Sequence, residues 1–213
     1  MKLNYYLKKI QNIIYKKKFN YPKTTVDYFN NNKKITVISF SSIGAGRKYV
    51  QSNEFFNLTK KYNVVFVKDI TRSWLNNIDI SYIKSFLKNN NNYAIGYSMG
   101  AFNAIVFSTL HPIKKVIAFS PQFSIHPEIS KDDTFLNFAA NINRWKYKKL
   151  KFSNKTEYLI IFGDDDKEKY HMNMIPKQEN IKIIILKNCD HKTASKLKKL
   201  KKLEKTISKF FSN

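Results

Sequence analysis

Residues 93–100 read Tyr93-Ala94-Ile95-Gly96-Tyr97-Ser98-Met99-Gly100 and pass directly into the largely apolar run Ala101 to Leu110. A short strand-like segment thus ends in a G-x-S-x-G turn that opens a helical pattern, the local context in which a serine is lifted out of a strand-to-helix corner. Such a turn is too tight for side chains at Gly96 and Gly100, and it would present the Ser98 hydroxyl above a sheet edge. The competing reading is a buried structural serine in a glycine-rich turn.

Outward from this stretch, short runs rich in β-branched residues recur at Ile35–Phe40, Val64–Val67, Tyr93–Ile95, Val116–Phe119, Tyr158–Phe162 and Ile181–Leu186, several of them apolar at consecutive positions. Consecutive apolar positions suit strands covered on both faces of a parallel sheet. Between them lie segments of helical length, at Arg47–Tyr62, Asp79–Lys88 and Met99–Leu110. The alternation predicts an α/β fold with a mostly parallel central sheet flanked by helices. Thr25–Phe29 reads either as an antiparallel edge strand or as part of a loop over Tyr21–Asn32.

The 213 residues are expected to form one domain, with 121–156 as a small cap holding a helical run at about Asp133–Tyr147. In the tail, Leu197, Leu200, Leu203, Ile207, Phe210 and Phe211 recur near the helical period, which predicts an amphipathic helix covering the sheet. A second stripe, Leu3, Tyr6, Leu7, Ile10, Ile13 and Ile14, predicts an N-terminal helix that packs on the domain, meets a partner or touches a membrane surface.

A net charge of +24 raises nucleic-acid and lipid readings. The arginines are only Arg47, Arg72 and Arg144, whereas Arg is the better bidentate phosphate ligand, and the Lys excess accompanies an Asn excess such as Asn89–Asn92. The charge is therefore read as compositional, and no specific nucleic-acid partner is expected. No stretch of about 18 apolar residues exists to span a bilayer, and Lys interrupts the N-terminus where a secretion signal needs apolar continuity. With Cys189 as the single cysteine, neither a disulfide framework nor a cysteine metal site is expected, and a cytoplasmic location fits. No metal or cofactor is called for.

All five glycines fall in three loops after predicted strands: Gly44 and Gly46, Gly96 and Gly100, and Gly163. Loops at the carboxyl ends of parallel strands form the binding crevice of such sheets, so the glycines outline one site. A serine nucleophile needs a base, and the base needs an orienting carboxylate. His191, just after the last predicted strand, is the candidate base. His111 reads as a structural turn residue, while His126 and His171 stay open as pocket residues. Asp164, Asp165 and Asp166, directly after the strand that ends at Phe162, are the candidate acids.

In these features the chain resembles the α/β-hydrolase superfamily, from about Ile35 to Phe211. The resemblance implies the chain order Ser98, acid, His191, and its G-x-x-D turn maps onto Gly163–Asp166, which favours Asp166. More narrowly, Asp69-Ile70-Thr71-Arg72-Ser73-Trp74 and Cys189-Asp190-His191-Lys192-Thr193-Ala194 resemble small bacterial hydrolases associated with surface-polysaccharide synthesis. The loop Ser41–Gly46 departs from the family in lacking a His-Gly pair. Its oxyanion-stabilising amides are expected from Met99 and from Ser42 or Ile43.

The expected activity is that of a serine esterase or deacylase, acting on a small-molecule or glycan-linked acyl ester. Arg72, Trp74 and Tyr97 are candidate substrate contacts, although Trp74 reads equally as core. A thioesterase or acyltransferase uses the same residues, and a non-catalytic module holding an anionic partner is the reading from a different class.

Overall fold

The computed structural model describes residues 16–21, 24–45, 50–87 and 91–212. Eight strands run through them: β1 (Lys16–Tyr21), β2 (Thr24–Phe29), β3 (Thr36–Phe40), β4 (Asn63–Asp69), β5 (Asn92–Tyr97), β6 (Lys115–Phe119), β7 (Glu157–Gly163) and β8 (Ile181–Leu186). They form one sheet in the order β1-β2-β4-β3-β5-β6-β7-β8. β1 pairs with β2 and β2 with β4 in antiparallel sense, and every other pairing is parallel. Thr24–Phe29 is therefore a strand, and β1 flanks it on the outside.

The inner strands are covered on both faces, which is why β3 and β6 are buried at every position, whereas the edge strand β8 leaves Ile183 and Ile185 exposed. On one face packs helix α1 (Met99–Leu110), buried continuously from Met99 to Ser108 because its residues are apolar nearly all round. On the other face pack α4 (Thr193–Lys199) and α5 (Leu203–Ser212), through Leu197, Leu203, Ile207 and Phe211. The tail is thus two helices, broken at Lys201 with φ 56°, and the break leaves Leu200 exposed rather than on the packed stripe. The stripe Leu3–Ile14 lies outside the described residues.

Two expected crossover helices do not form as such. Within 47–62, the described part from 50 onward carries only a short 3-10 turn at Phe56–Lys60. Ser39 Oγ and Ser41 Oγ donate to the carbonyls of Glu54 and Ser52, which pins this stretch to the end of β3, and Phe55 sits in the left-handed region. Within 79–88, the described part up to 87 carries Ser81–Phe86, again 3-10, entered through an Asp79 side chain that accepts from the Ser81 amide.

Between β6 and β7, the run expected to be helical over 133–147 contains only α2 (Leu136–Ala139). The amides of Lys146 and Tyr147 donate instead to Asn76 Oδ1 at 2.7 and 2.8 Å. Phe135, Ala139, Ile142 and Leu150 of this segment belong to the same core cluster as α1. No helix among the described residues is long and apolar enough to cross a membrane.

Candidate active site

The β5–α1 corner is as tight as its glycines imply. A Cβ on Gly96 would meet the Gly100 carbonyl at 2.1 Å, and one on Gly100 would meet the Phe40 carbonyl oxygen at 2.1 Å. Between them Ser98 takes φ 56° and ψ −124°, a conformation costly for a residue with a side chain and held by its neighbours. Its amide donates to the Phe119 carbonyl at 2.8 Å, tying the corner to the end of β6.

His191 reaches Ser98 from the loop after β8. That loop closes on the end of β7 because Gly163 has no side chain: a Cβ there would lie 2.2 Å from the Cys189 carbonyl oxygen. The Ser98 hydroxyl meets His191 Nε2 at 2.9 Å. His191 Nδ1 faces Glu168 Oε1 at 2.8 Å, and the other carboxylate oxygen of Glu168 accepts from the Gly163 amide at 3.0 Å. A carboxylate on Nδ1 requires the proton there, which leaves the Nε2 lone pair for the serine proton.

The carboxylate at His191 is therefore Glu168 and not Asp166, a correction with a local cause. Asp164 is occupied by the Asn188 and Cys189 amides, and these bonds hold its carboxyl below the usual range. Asp165 is the N-cap of α3 (Asp166–Asn173), accepting from the Glu168 amide at 2.9 Å. Capping at 165 makes Asp166 the first helical residue, where its side chain is fully exposed and pairs with Lys169 at 3.8 Å. Two positions further on, the helix turns Glu168 inward. Burial pushes the Glu168 carboxyl up, but the bond to His191, the His191 charge, and the bonds from Gly163 and Ser120 outweigh it and hold the group below its ordinary value. The D-x-x-E spacing of Asp165 and Glu168, a helix-start signal, was the cue in the sequence.

Of the expected oxyanion amides, that of Ser42 is already engaged. It donates to Glu54 Oε1 at 3.1 Å, and the Ser42 hydroxyl donates to the same oxygen. Burial pushes the Glu54 carboxyl up to about 7 against the opposing Ser42 bonds. Met99 begins α1, where first-turn amides have no intrahelical partner. The peptide that carries the Ile43 amide is held through the Ser42 carbonyl, which accepts from Gln51 Nε2 at 2.7 Å, and the next peptide is held through the Ile43 carbonyl, which accepts from Arg72 Nε at 3.0 Å.

Arg72 spends a second donor, Nη1, on the Ile70 carbonyl at 2.8 Å. The loop that carries it has positive φ at Arg72, Trp74 and Leu75. Asp69 holds this strained loop by accepting from the amides of Thr71, Ser73 and Leu75. Trp74 is wholly buried against Phe135 and Phe138, and Tyr97 lies half-buried with its ring 5.3 Å from that of His191.

The other histidines do not join the site. His111 packs on Phe107, His126 on Trp145, and His171 anchors the β6–β7 segment: its Nε2 meets Asp132 Oδ2 at 3.1 Å and its Nδ1 accepts from the Phe123 amide. A cavity of about 930 Å³ lies on the sheet face of α4 and α5, bordered by Ser42, Glu54, Tyr97 and Lys192 and by none of Ser98, His191 and Glu168. Among the described residues no group of three or more His, Cys, Asp or Glu side chains is arranged to hold a metal ion.

No protein-family model and no curated protein matches the chain. Solved structures do. The capsule O-acetyltransferase of Neisseria meningitidis serogroup A superposes with a TM-score of 0.62 at 18% identity, over 92% of this chain and 94% of that one. An esterase of Pyrobaculum calidifontis gives 0.60 at 13% identity, over 95% and 89%. Carboxylesterase CesB of Bacillus subtilis gives 0.51 at 13% identity, over 97% and 96%. The protein has the α/β-hydrolase fold. The structures that share this fold include esterases and a capsule O-acetyltransferase.

Proposed function

We propose that this protein is a serine-dependent acyl-transfer enzyme that cleaves carboxylic esters through an acyl-enzyme on Ser98, with acyl groups on carbohydrate as the substrate class. The observation that carries the reading is the unbroken chain Ser98 Oγ, His191, Glu168, at 2.9 and 2.8 Å. In the first step His191 Nε2 takes the Ser98 proton as Oγ bonds to the ester carbonyl carbon. Ionised Glu168 stabilises the resulting imidazolium and keeps Nδ1 protonated. The Met99 and Ile43 amides receive the developing oxyanion, with Gln51 on the Ser42 carbonyl and Arg72 on the Ile43 carbonyl fixing the two peptides that flank Ile43. Collapse expels the alcohol, which takes the proton from His191. Water then repeats the sequence on the acyl-enzyme and frees the acid and Ser98.

A second reading keeps these residues and replaces water by an acceptor hydroxyl. Support comes from the fold shared with the meningococcal O-acetyltransferase, a variant of which is solved with CoA. An acyl thioester would then load Ser98, and the segment 121–156 would line the entrance.

The test is covalent labelling by a fluorophosphonate, which requires an activated serine. Wild type should label and Ser98→Ala should not. A folded wild-type protein that fails to label overturns the proposal. Incubating the acylated enzyme with a glycan acceptor separates the readings, because transfer yields acylated glycan and hydrolysis yields free acid.

A further inference from the structure

Gln122 has no role in the mechanism above, yet its side chain touches the nucleophile. It follows β6, at the end of a turn in which Ser120 takes φ 48°, a left-handed backbone that aims the chain back over the β5–α1 corner. The side chain is 1% exposed, and it lies between two buried groups. Trp74 Nε1 donates to Gln122 Oε1 at 3.1 Å, and Gln122 Nε2 donates to Ser98 Oγ at 3.2 Å. The second Nε2 hydrogen points toward the Ser120 carbonyl at 3.5 Å.

The chemistry of these partners settles which way the amide faces. An indole N–H can only donate, so the atom opposite Trp74 must be the amide oxygen, and the NH2 is left facing Ser98. A hydroxyl has one hydrogen and two lone pairs. With Gln122 donating to one lone pair, the Ser98 hydrogen cannot point at Gln122. The hydrogen goes to His191 Nε2, the acceptor at 2.9 Å.

We infer that Gln122 is a catalytic residue, a hydrogen-bond donor to the nucleophilic oxygen, held in that orientation by the Trp74 indole. The inference rests on the serine-enzyme reading and deepens it. As His191 takes the proton, charge builds on Oγ before the bond to carbon is complete, and the Gln122 N–H faces that charge in a water-poor site. It faces it again in deacylation, when Oγ is the leaving group. In the ester of the acyl-enzyme Oγ is a weak acceptor, so the bond is strongest where the barrier is. Trp74 is then a positioning residue, acting through Gln122.

Gln122→Met keeps the volume and removes both the donor and the acceptor. Its second-order rate of fluorophosphonate labelling should fall about 10-fold, the worth of one neutral hydrogen bond in a barrier. Labelling stops at the attack step, so the loss cannot be assigned to deacylation. Gln122→Glu keeps an acceptor for Trp74 and retains the volume. Protonated, it can still donate to Ser98; ionised, it repels the oxygen and competes with His191 for the proton. Its activity should therefore fall as pH rises, with a descending limb absent from wild type. Trp74→Phe frees the amide to turn its oxygen toward Ser98 and should give a smaller loss. Labelling of Gln122→Met at the wild-type rate, or a Gln122→Glu pH profile that matches wild type, overturns the inference while leaving the serine enzyme standing. Wild-type protein that does not label removes the serine-enzyme reading itself, and the inference with it. Should Gln122→Met fail to fold, the Gln122→Glu profile decides.

Discussion

Glu54 is the group whose replacement has the most calculable consequence. Its carboxyl is buried beside the Ser42 loop, accepts from Ser42 through Oε1, and has no hydrogen-bond partner at Oε2 among the described residues. Burial raises it from an ordinary 4.5 to about 7. The folded state therefore keeps a proton that the unfolded chain has already released, so stability is greatest below about 4.5 and falls as pH rises through about 7. At about 1.4 kcal/mol per decade of proton affinity, the full loss is ~3 kcal/mol, most of it between pH 5 and pH 8.5. Glu54→Gln keeps an oxygen for the Ser42 donors and cannot ionise. Urea unfolding of both proteins at the two pH values isolates the effect, because all other titrations cancel in the difference. The stability gap should widen toward the variant by ~2–3 kcal/mol on going to pH 8.5. A gap that changes by less than about 0.5 kcal/mol would refute the reasoning, since it lies within the scatter of surface substitutions. Because the Ser42 loop is retained, labelling of Ser98 should persist in the variant.

Two further outcomes test the site. Glu168→Gln should lower ester turnover by roughly 10²-fold to 10⁴-fold, since an amide no longer enforces the Nδ1 tautomer, whereas Asp166→Asn should stay within about 2-fold of wild type; steady-state kinetics on a p-nitrophenyl ester with parallel thermal melts decides. Arg72→Ala releases the Ile43 carbonyl and should lower kcat about 10-fold with little change in KM or in salt dependence. A strongly altered salt dependence would instead make Arg72 a contact for an anionic substrate.

Much of the fold was legible because its signals are local. Runs of consecutive apolar residues, such as Val64–Val67 and Val116–Phe119, announce burial on both faces and are buried inside the sheet, whereas Ile181–Leu186, at its edge, leaves Ile183 and Ile185 exposed. Helix α1 was equally plain. The segments 50–62 and 133–147 were not, since side chains distant in sequence take their backbone groups: Ser39 and Ser41 for the first, Asn76 for the second. Propensity yields where such a bond is available.

The sequence by itself determined the glycine turns around Ser98 and before His191, because a tight turn and a close approach exclude a Cβ whatever surrounds them, and it put Ser98 and His191 forward as candidates. Gly100 against Phe40, and Gly163 against Cys189, are those exclusions in space. Only the tertiary structure decided among the carboxylates. Four acids lie within Asp164–Glu168, and the choice depended on where α3 begins and on which of its faces meets His191. Likewise, Ser42 was lost as an oxyanion donor and Gln122 appeared beside Ser98 through contacts spanning 12 and 24 residues. A hydrogen bond between such groups is a property of distance and direction, and chain spacing alone contains neither.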